Sequence, residues 1–201
     1  MKNRCLPAVE SRFSVALKKY ADLCSSTQLK ASEITRIRGT KDEKSRMDMT
    51  WVTGRIAVGG GIWSADNMAD VARAGVTHII DMQIEFDDTA LAEPHGIEVL
   101  WNATDDDFQP KSPELLQCGV DFAFRALDQE GTKLFIHCAA GVHRAPMMTL
   151  AVLASLGWKI EQAMQLIEAR RPVVDFAEVY VESVQRFVEQ QGVKQVSGGR
   201  L

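Results

Sequence analysis

Cys138 stands six residues before Arg144 in the run Leu134-Phe135-Ile136-His137-Cys138-Ala139-Ala140-Gly141-Val142-His143-Arg144-Ala145-Pro146, where an apolar segment meets a small, glycine-containing turn. Such a turn ahead of a helix aims successive backbone N–H groups, here from Ala139, Ala140, Gly141, Val142, His143 and Arg144, into one concavity that suits a tetrahedral anion. Arg144 adds a planar guanidinium able to grip two oxygens at once. Amide dipoles, helix terminus and guanidinium together favour sulfur in its thiolate form, so the expected chemistry is attack of Cys138 on a bound phosphate ester. In the plainer alternative, Cys138 is a buried core thiol, Arg144 a solvated helix residue and His137 a satisfied core histidine. An apolar strand, His137, Gly141 and a following helix in one register all count against it.

With these residues in view, the chain resembles the cysteine-dependent protein tyrosine phosphatase superfamily, in its small dual-specificity branch, whose loop reads His-Cys-x-x-Gly-x-x-Arg-Ser/Thr. The resemblance covers about residues 51–190. It implies a phosphatase that hydrolyses phosphate monoesters through a cysteinyl-phosphate intermediate, with phosphotyrosine or phosphoserine/threonine protein as substrate. It also implies no metal and no organic cofactor. His137 would pack beneath the loop and hold it through a ring hydrogen bond. One position departs from the pattern: Ala145 stands where the family has Ser or Thr. Arg144-Ala145-Pro146 is similar to the loop of the phosphatases of regenerating liver. In the family that hydroxyl helps the thiolate leave, so its absence implies slow hydrolysis of the phosphoenzyme. Two alternatives stay open at this point: a slow or non-catalytic phosphate-binding interaction module, and a phosphoinositide or RNA 5′-phosphate phosphatase. A rhodanese-like sulfur carrier is disfavoured by His137 and by the acidic loop described next.

A thiolate that displaces an alkoxide or phenoxide needs a proton donor for the departing oxygen. Asp105, Asp106 and Asp107 follow the apolar segment Gly96–Trp101, on a loop where such a donor belongs. The resemblance puts the general acid ten residues after Gly96, at Asp106, with Asp105 next in line. A solvated acidic loop or a cation site would also account for three adjacent carboxylates. His143 either adds charge at the pocket rim or faces solvent. Arg170 and Arg171, just before Pro172, are expected to compensate a helix dipole rather than touch substrate. Cys118 is expected in the core, and Gly59-Gly60-Gly61, with no Lys-Ser/Thr after it, is a turn and not a nucleotide loop.

These groups need a scaffold, and the pattern supplies an alternating one. Strands are expected at Ile56–Gly60, Val76–Met82, Ile97–Trp101 and Lys133–His137. Helices are expected from the Ser64 cap to Gly75, from Ser112-Pro113-Glu114 to Gly131, and over Arg144–Leu156, Ile160–Arg171 and Phe176–Gln191. Asp87–His95 reads as a short helix or loop. Strands separated by helices predict an α/β fold, a mostly parallel central sheet with helices on both faces and the site at the carboxyl ends of the strands.

At 201 residues and 46% hydrophobic composition the chain can bury a core unaided. Cys5, Cys24, Cys118 and Cys138 show no paired spacing that suggests zinc or a disulfide framework, so a reducing, cytoplasmic setting is expected. No apolar run approaches the roughly 20 residues of a membrane span, and the ending Gly198-Gly199-Arg200-Leu201 is not a prenylation box, so no membrane anchoring is expected. Residues 1–47 hold eleven Lys/Arg against five Asp/Glu, whereas the remainder holds twelve against twenty-two. That shift divides the chain into a basic extension over 1–47, a catalytic domain over 48–191 and a tail over 192–201. Phe13, Leu17, Tyr20 and Leu23 give the extension a short helical stripe. The acidic remainder makes a nucleic-acid partner unexpected. Phosphorylated protein or a small phosphate ester is the expected partner.

Overall fold

The computed structural model describes residues 47–197, with side chains described through residue 192. The expected helical stripe of the basic extension therefore lies outside the described residues. Strands Met49–Trp51 (β1), Ile56–Gly59 (β2), His78–Asp81 (β3), Glu98–Trp101 (β4) and Leu134–His137 (β5) form one sheet in the order β1-β2-β5-β3-β4. β1 runs antiparallel to β2, and the other neighbours are parallel. Helices span Ala65–Arg73 (α1), Thr89–Ala92 (α2), Pro113–Leu127 (α3), Arg144–Ser155 (α4), Ile160–Arg170 (α5) and Glu178–Ser197 (α6).

Both faces of the sheet are covered, and the strands show it in their alternation. Ile56, Val58, Ile80, Leu100, Leu134 and Ile136 face a core shared with α3, α4, α5 and α6. Their immediate neighbours Ala57, Ile79, Val99 and Phe135 face a smaller core closed by Met68 and Val71 of α1 and Ala92 of α2. Successive side chains of a strand point to opposite faces, so continuous apolar strands are what a doubly covered parallel sheet requires. Gly119 lets α3 approach α4, since a Cβ there would fall on the Met148 sulfur.

Local signals set most boundaries. The Ser64 and Ser112 hydroxyls accept hydrogen bonds from the Asn67 and Leu115 N–H groups, capping α1 and α3. α3 ends at Leu127 and not at Gly131, with Asp128 as its cap, and α6 begins at Glu178 and continues past Gln191 to Ser197. β1 was not anticipated: Met49–Trp51 is three residues long, too short for a period to register. Cys118 is partly buried and packs against the larger core. No helix among the described residues is long and apolar enough to cross a membrane.

The parallel strands all end on one side, which brings the loops after β2, β3, β4 and β5 together. Phe135 anchors the strand that leads into the last of these and is fully buried. Phe135→Ala is expected to destabilise the fold by about 3–5 kcal/mol, through lost burial and a residual cavity. Urea unfolding measures it, and a loss below about 1 kcal/mol would mean that the core around α1 collapses to refill the space.

Candidate active site

β5 delivers His137 to the centre of the sheet, residues 138–143 form the loop, and α4 begins at Arg144. The loop is a cup because its peptide groups share one orientation. The carbonyl of Ala139 accepts from Gly61 N–H at 3.0 Å, that of Val142 from Asp175 N–H at 3.1 Å and that of His143 from Met147 N–H at 2.9 Å. Gly141 N–H points inward, donating to Cys138 Sγ at 3.3 Å. The N–H groups of Ala139, Ala140, Val142 and His143 donate to no protein group among the described residues. Gly141 has φ +65°, and a Cβ on it would strike the Gly59 carbonyl, so both conformation and space require glycine. Cys138 lies at the floor of the cup, buried.

Arg171 corrects the sequence reading. It does not serve a helix end: it is buried, and its Nε donates to the Gly141 carbonyl at 2.9 Å while Nη2 reaches the Ala140 carbonyl at 3.3 Å. The same guanidinium clamps Asp48 through two bonds of 2.7 and 2.6 Å. Arg171 thus satisfies the carbonyls of Ala140 and Gly141, to which no backbone N–H among the described residues donates.

Arg144 is buried as well, and its partner is a carboxylate from the loop after β3. Nη1 and Nη2 bond Glu85 at 2.9 and 2.8 Å, and Nη1 also bonds the Thr104 carbonyl at 3.0 Å. These hydrogen bonds hold the Glu85 carboxyl below its usual range. Nε of Arg144 is buried without a hydrogen-bond partner and lies 3.8 Å from Asp106 Oδ2.

Of the three adjacent carboxylates, Asp106 is the one that enters the site. Tyr180 on α6 donates its hydroxyl to Asp106 Oδ1 at 3.0 Å, and His143 Nδ1 meets Oδ2 at 3.0 Å. The other His143 nitrogen lies 3.5 Å from Asp175. His143 therefore neither faces solvent nor stands alone at the rim; it bridges two acids. Burial and the hydrogen bond to Asp106 push the Tyr180 phenol up to about 12, which keeps its proton available to donate at neutral pH. Phe108, at φ 55°, is the one non-glycine residue with positive φ among those described. Its N–H bonds the Tyr180 oxygen, and its ring lies between His143 and Tyr180. Asp105 is exposed; its carboxylate accepts the Asp106 N–H. Asp107 pairs with Lys111.

His137 departs from its expected role. Its ring makes no bond to the loop: Nε2 bonds Asp88 Oδ2 at 3.0 Å with Asp81 Oδ1 at 3.8 Å, and Nδ1 has no partner. All three residues are fully buried, and one ligating atom from each lies within 4.8 Å of the others, the single such cluster among the described residues. Burial, then the charge of Asp88, raises the Asp81 carboxyl to about 9, so it carries its proton at neutral pH.

Residues 62–190 match the family model described as dual specificity phosphatase, catalytic domain. The chain belongs to that family. Among relatives, it is 27% identical over 170 residues to protein phosphatase Slingshot homolog 3 of Rattus norvegicus, covering 83% of this chain and 23% of that protein. It is 32% identical over 113 residues to dual specificity protein phosphatase 26 of Homo sapiens, covering 55% of this chain and 51% of that protein. The chain thus spans about a quarter of the first of these relatives and about half of the second. Among solved structures, PTPMT1 in complex with PI(5)P superposes with a TM-score of 0.65 at 20% identity, over 72% of this chain and 96% of that one. Human DUSP28 gives 0.63 at 19%, over 72% and 95%. These establish the dual-specificity-phosphatase fold.

Within this family site, Glu85, Arg171, Asp48 and Tyr180 escaped the sequence reading. Arg171-Pro172 held the one usable signal, because a basic residue at a helix end next to proline is placed to turn back on the sheet. Asp81 yields a measurable consequence. A carboxyl with its folded value raised from 3.8 to about 9 stabilises the fold fully only below 3.8, and that contribution is lost as pH rises towards 9, because the unfolded chain releases the proton first. Asp81→Asn keeps the neutral shape without a titrating proton. Its urea stability relative to the parent is expected to improve steadily from about pH 5 to about pH 8. Parallel profiles for the two proteins would place the buried proton elsewhere.

Proposed function

We propose that residues 48–191 form a phosphatase that hydrolyses phosphate monoesters of phosphotyrosine or phosphoserine/threonine proteins through a cysteinyl-phosphate. The observation carrying this reading is the cup itself: loop carbonyls engaged outward, N–H groups turned inward, and Cys138 at its floor. A phosphate dianion docks on the amides from Ala139 to Arg144 and takes the open Nε of Arg144. Cys138 Sγ attacks phosphorus; the S–P bond forms as the ester P–O bond breaks, and Asp106 gives its proton to the leaving oxygen. Water then loses a proton to the Asp106 carboxylate and attacks phosphorus, releasing inorganic phosphate and the Cys138 thiolate. Tyr180 and His143 aim the Asp106 carboxyl, Arg171 braces the loop, and Asp105 serves through its contact with the Asp106 backbone. No metal or organic cofactor enters these steps.

Ala145 favours a second reading, a slow enzyme whose bound phosphate matters as much as its turnover. Its side chain is buried at the start of α4 and offers sulfur no hydroxyl.

Cys138→Ser is expected to abolish aryl phosphate turnover while retaining phosphate binding. Asp106→Asn should slow phenyl phosphate by about 10²-fold or more, and far less a nitrophenyl ester whose leaving group needs no proton. Equal losses on both esters would move the acid to another residue.

If departure of sulfur limits turnover, stopped-flow traces should show a product burst near one equivalent and then a slow steady state. Ala145→Ser should raise the steady rate and leave the burst rate nearly unchanged. A linear trace, with no gain in the Ser variant, would show that the second step is not limiting.

A further inference from the structure

We propose that the rim around Cys138 selects phosphopeptides with basic residues flanking the phosphorylated side chain, a substrate class that rests on the phosphatase reading above. The loops at the carboxyl ends of the strands carry a lopsided set of charges. Glu85 and Asp87 follow β3, Asp105 and Asp107 flank Asp106 after β4, and Asp175 follows α5. The loops 60–64 and 138–143 contain no Lys or Arg.

The cations in these loops are already committed. Arg171 is buried and locked to Asp48, and Arg144 is buried beneath the rim against Glu85. The Lys111 side chain is only 6% exposed, its ammonium taken by Asp107 and by the Asp105 carbonyl. Glu85 and Asp107 offset Arg144 and Lys111 in these pairs, so it is Asp87, Asp105 and Asp175 that leave the rim net negative above the positive floor of the cup.

Aromatic rings are exposed on the same rim. Trp63, Phe86 and Phe108 are 52%, 37% and 51% exposed. The Trp63 and Phe86 rings lie 6.2 Å apart. Trp63 covers Gly61, whose N–H holds the Ala139 carbonyl of the cup, and Phe108 packs on His143 inside it. Carboxylates and aromatic faces share one preference, since both attract Lys and Arg side chains. A phosphate on a basic peptide satisfies floor and rim together. Inositol polyphosphates and RNA place further negative charge next to the rim, and their approach is opposed. An oligosaccharide uncharged apart from its phosphate would stack on the rings but leave the carboxylates without counter-charge.

The test uses phosphotyrosine peptides of equal length flanked by Lys/Arg or by Asp/Glu, with binding to the full chain carrying Cys138→Ser read by fluorescence anisotropy. Basic flanks are expected to bind about tenfold more tightly at low salt, the ratio shrinking as salt is added. Asp87→Asn with Asp107→Asn should cut that ratio to about threefold or less. With Cys138 intact, the same pair should leave the rate on phenyl phosphate, which carries no charge beyond its phosphate, unchanged. Equal affinity, preference for acidic flanks, or tighter binding of an inositol phosphate or a phosphorylated oligosaccharide would overturn the inference. A basic preference without aryl phosphate turnover by the parent chain would uphold this selectivity and remove the catalytic reading; turnover without the preference would do the reverse.

Discussion

A loop that turns its N–H groups inward must turn its carbonyls outward, and a buried carbonyl left without a donor costs about 1–3 kcal/mol. Much of this molecule answers that constraint. The donors come from four separate places: the glycine turn after β2, the Arg171 side chain, the backbone at Asp175 and the first turn of α4. Each is far from the loop in sequence or lies just beyond it, so the cup forms only when the sheet, α5 and the connection into α6 are all in place. Asp48 extends the chain of dependence to the strand edge, because the guanidinium that braces the loop is itself fixed by that carboxylate. Gly59 is part of the same packing: its carbonyl lies where any side chain at position 141 would have to go.

Two buried guanidinium groups within one loop environment would be costly unless each were matched. Desolvating an ion in a protein interior costs several kcal/mol, recovered only by a close partner with good geometry. Arg144 and Arg171 each take a bidentate carboxylate, from Glu85 and Asp48 respectively, and each carboxylate remains partly solvated. The acids under the loop are handled in another way. Asp81 and Asp88 are both buried beside a single histidine, and the repulsion between them is relieved by keeping a proton on Asp81. Charge around Cys138 is thus organised in layers, with a protonated acid below, paired guanidiniums at the level of the loop and an excess of carboxylates above.

Much of the scaffold was legible because its signals are local. Apolar strands, serine caps and the proline opening α3 each fix their element with little help from the rest of the chain, and Cys138, Gly141 and Arg144, read as one turn, are one turn in the structure. What escaped depends on long-range contact. Glu85 and Tyr180 meet the site from positions 59 and 74 residues away from Arg144 and Asp106, with nothing in their own neighbourhoods to mark them. Arg171 was assigned to its own helix because sequence shows only the helix, and not the carbonyls that it reaches thirty positions back. His137 was expected to hold the loop but found a stronger partner in Asp88, since a buried carboxylate outcompetes a carbonyl for an imidazole.

The acid loop shows how the last helix is tied to the site. Phe108 sits in the left-handed region, where an aromatic residue costs of order 1–3 kcal/mol, so the surrounding contacts must more than offset it. They come from α6: the Tyr180 oxygen accepts the Phe108 N–H, its hydroxyl proton goes to Asp106, and its ring stacks on Phe108 with the planes 5° apart. One side chain therefore fixes the backbone turn and the carboxylate orientation together. Loss of the Tyr180 hydroxyl would leave the Phe108 N–H and Asp106 Oδ1 without a partner on the same loop. The strain at Phe108 would then favour relaxation of the turn, carrying Asp106 away from the unpaired Nε of Arg144. The position of the acid is in this sense a property of α6 packing against the larger core, where Tyr180, Val184 and Phe187 are buried, as much as of the loop that bears it.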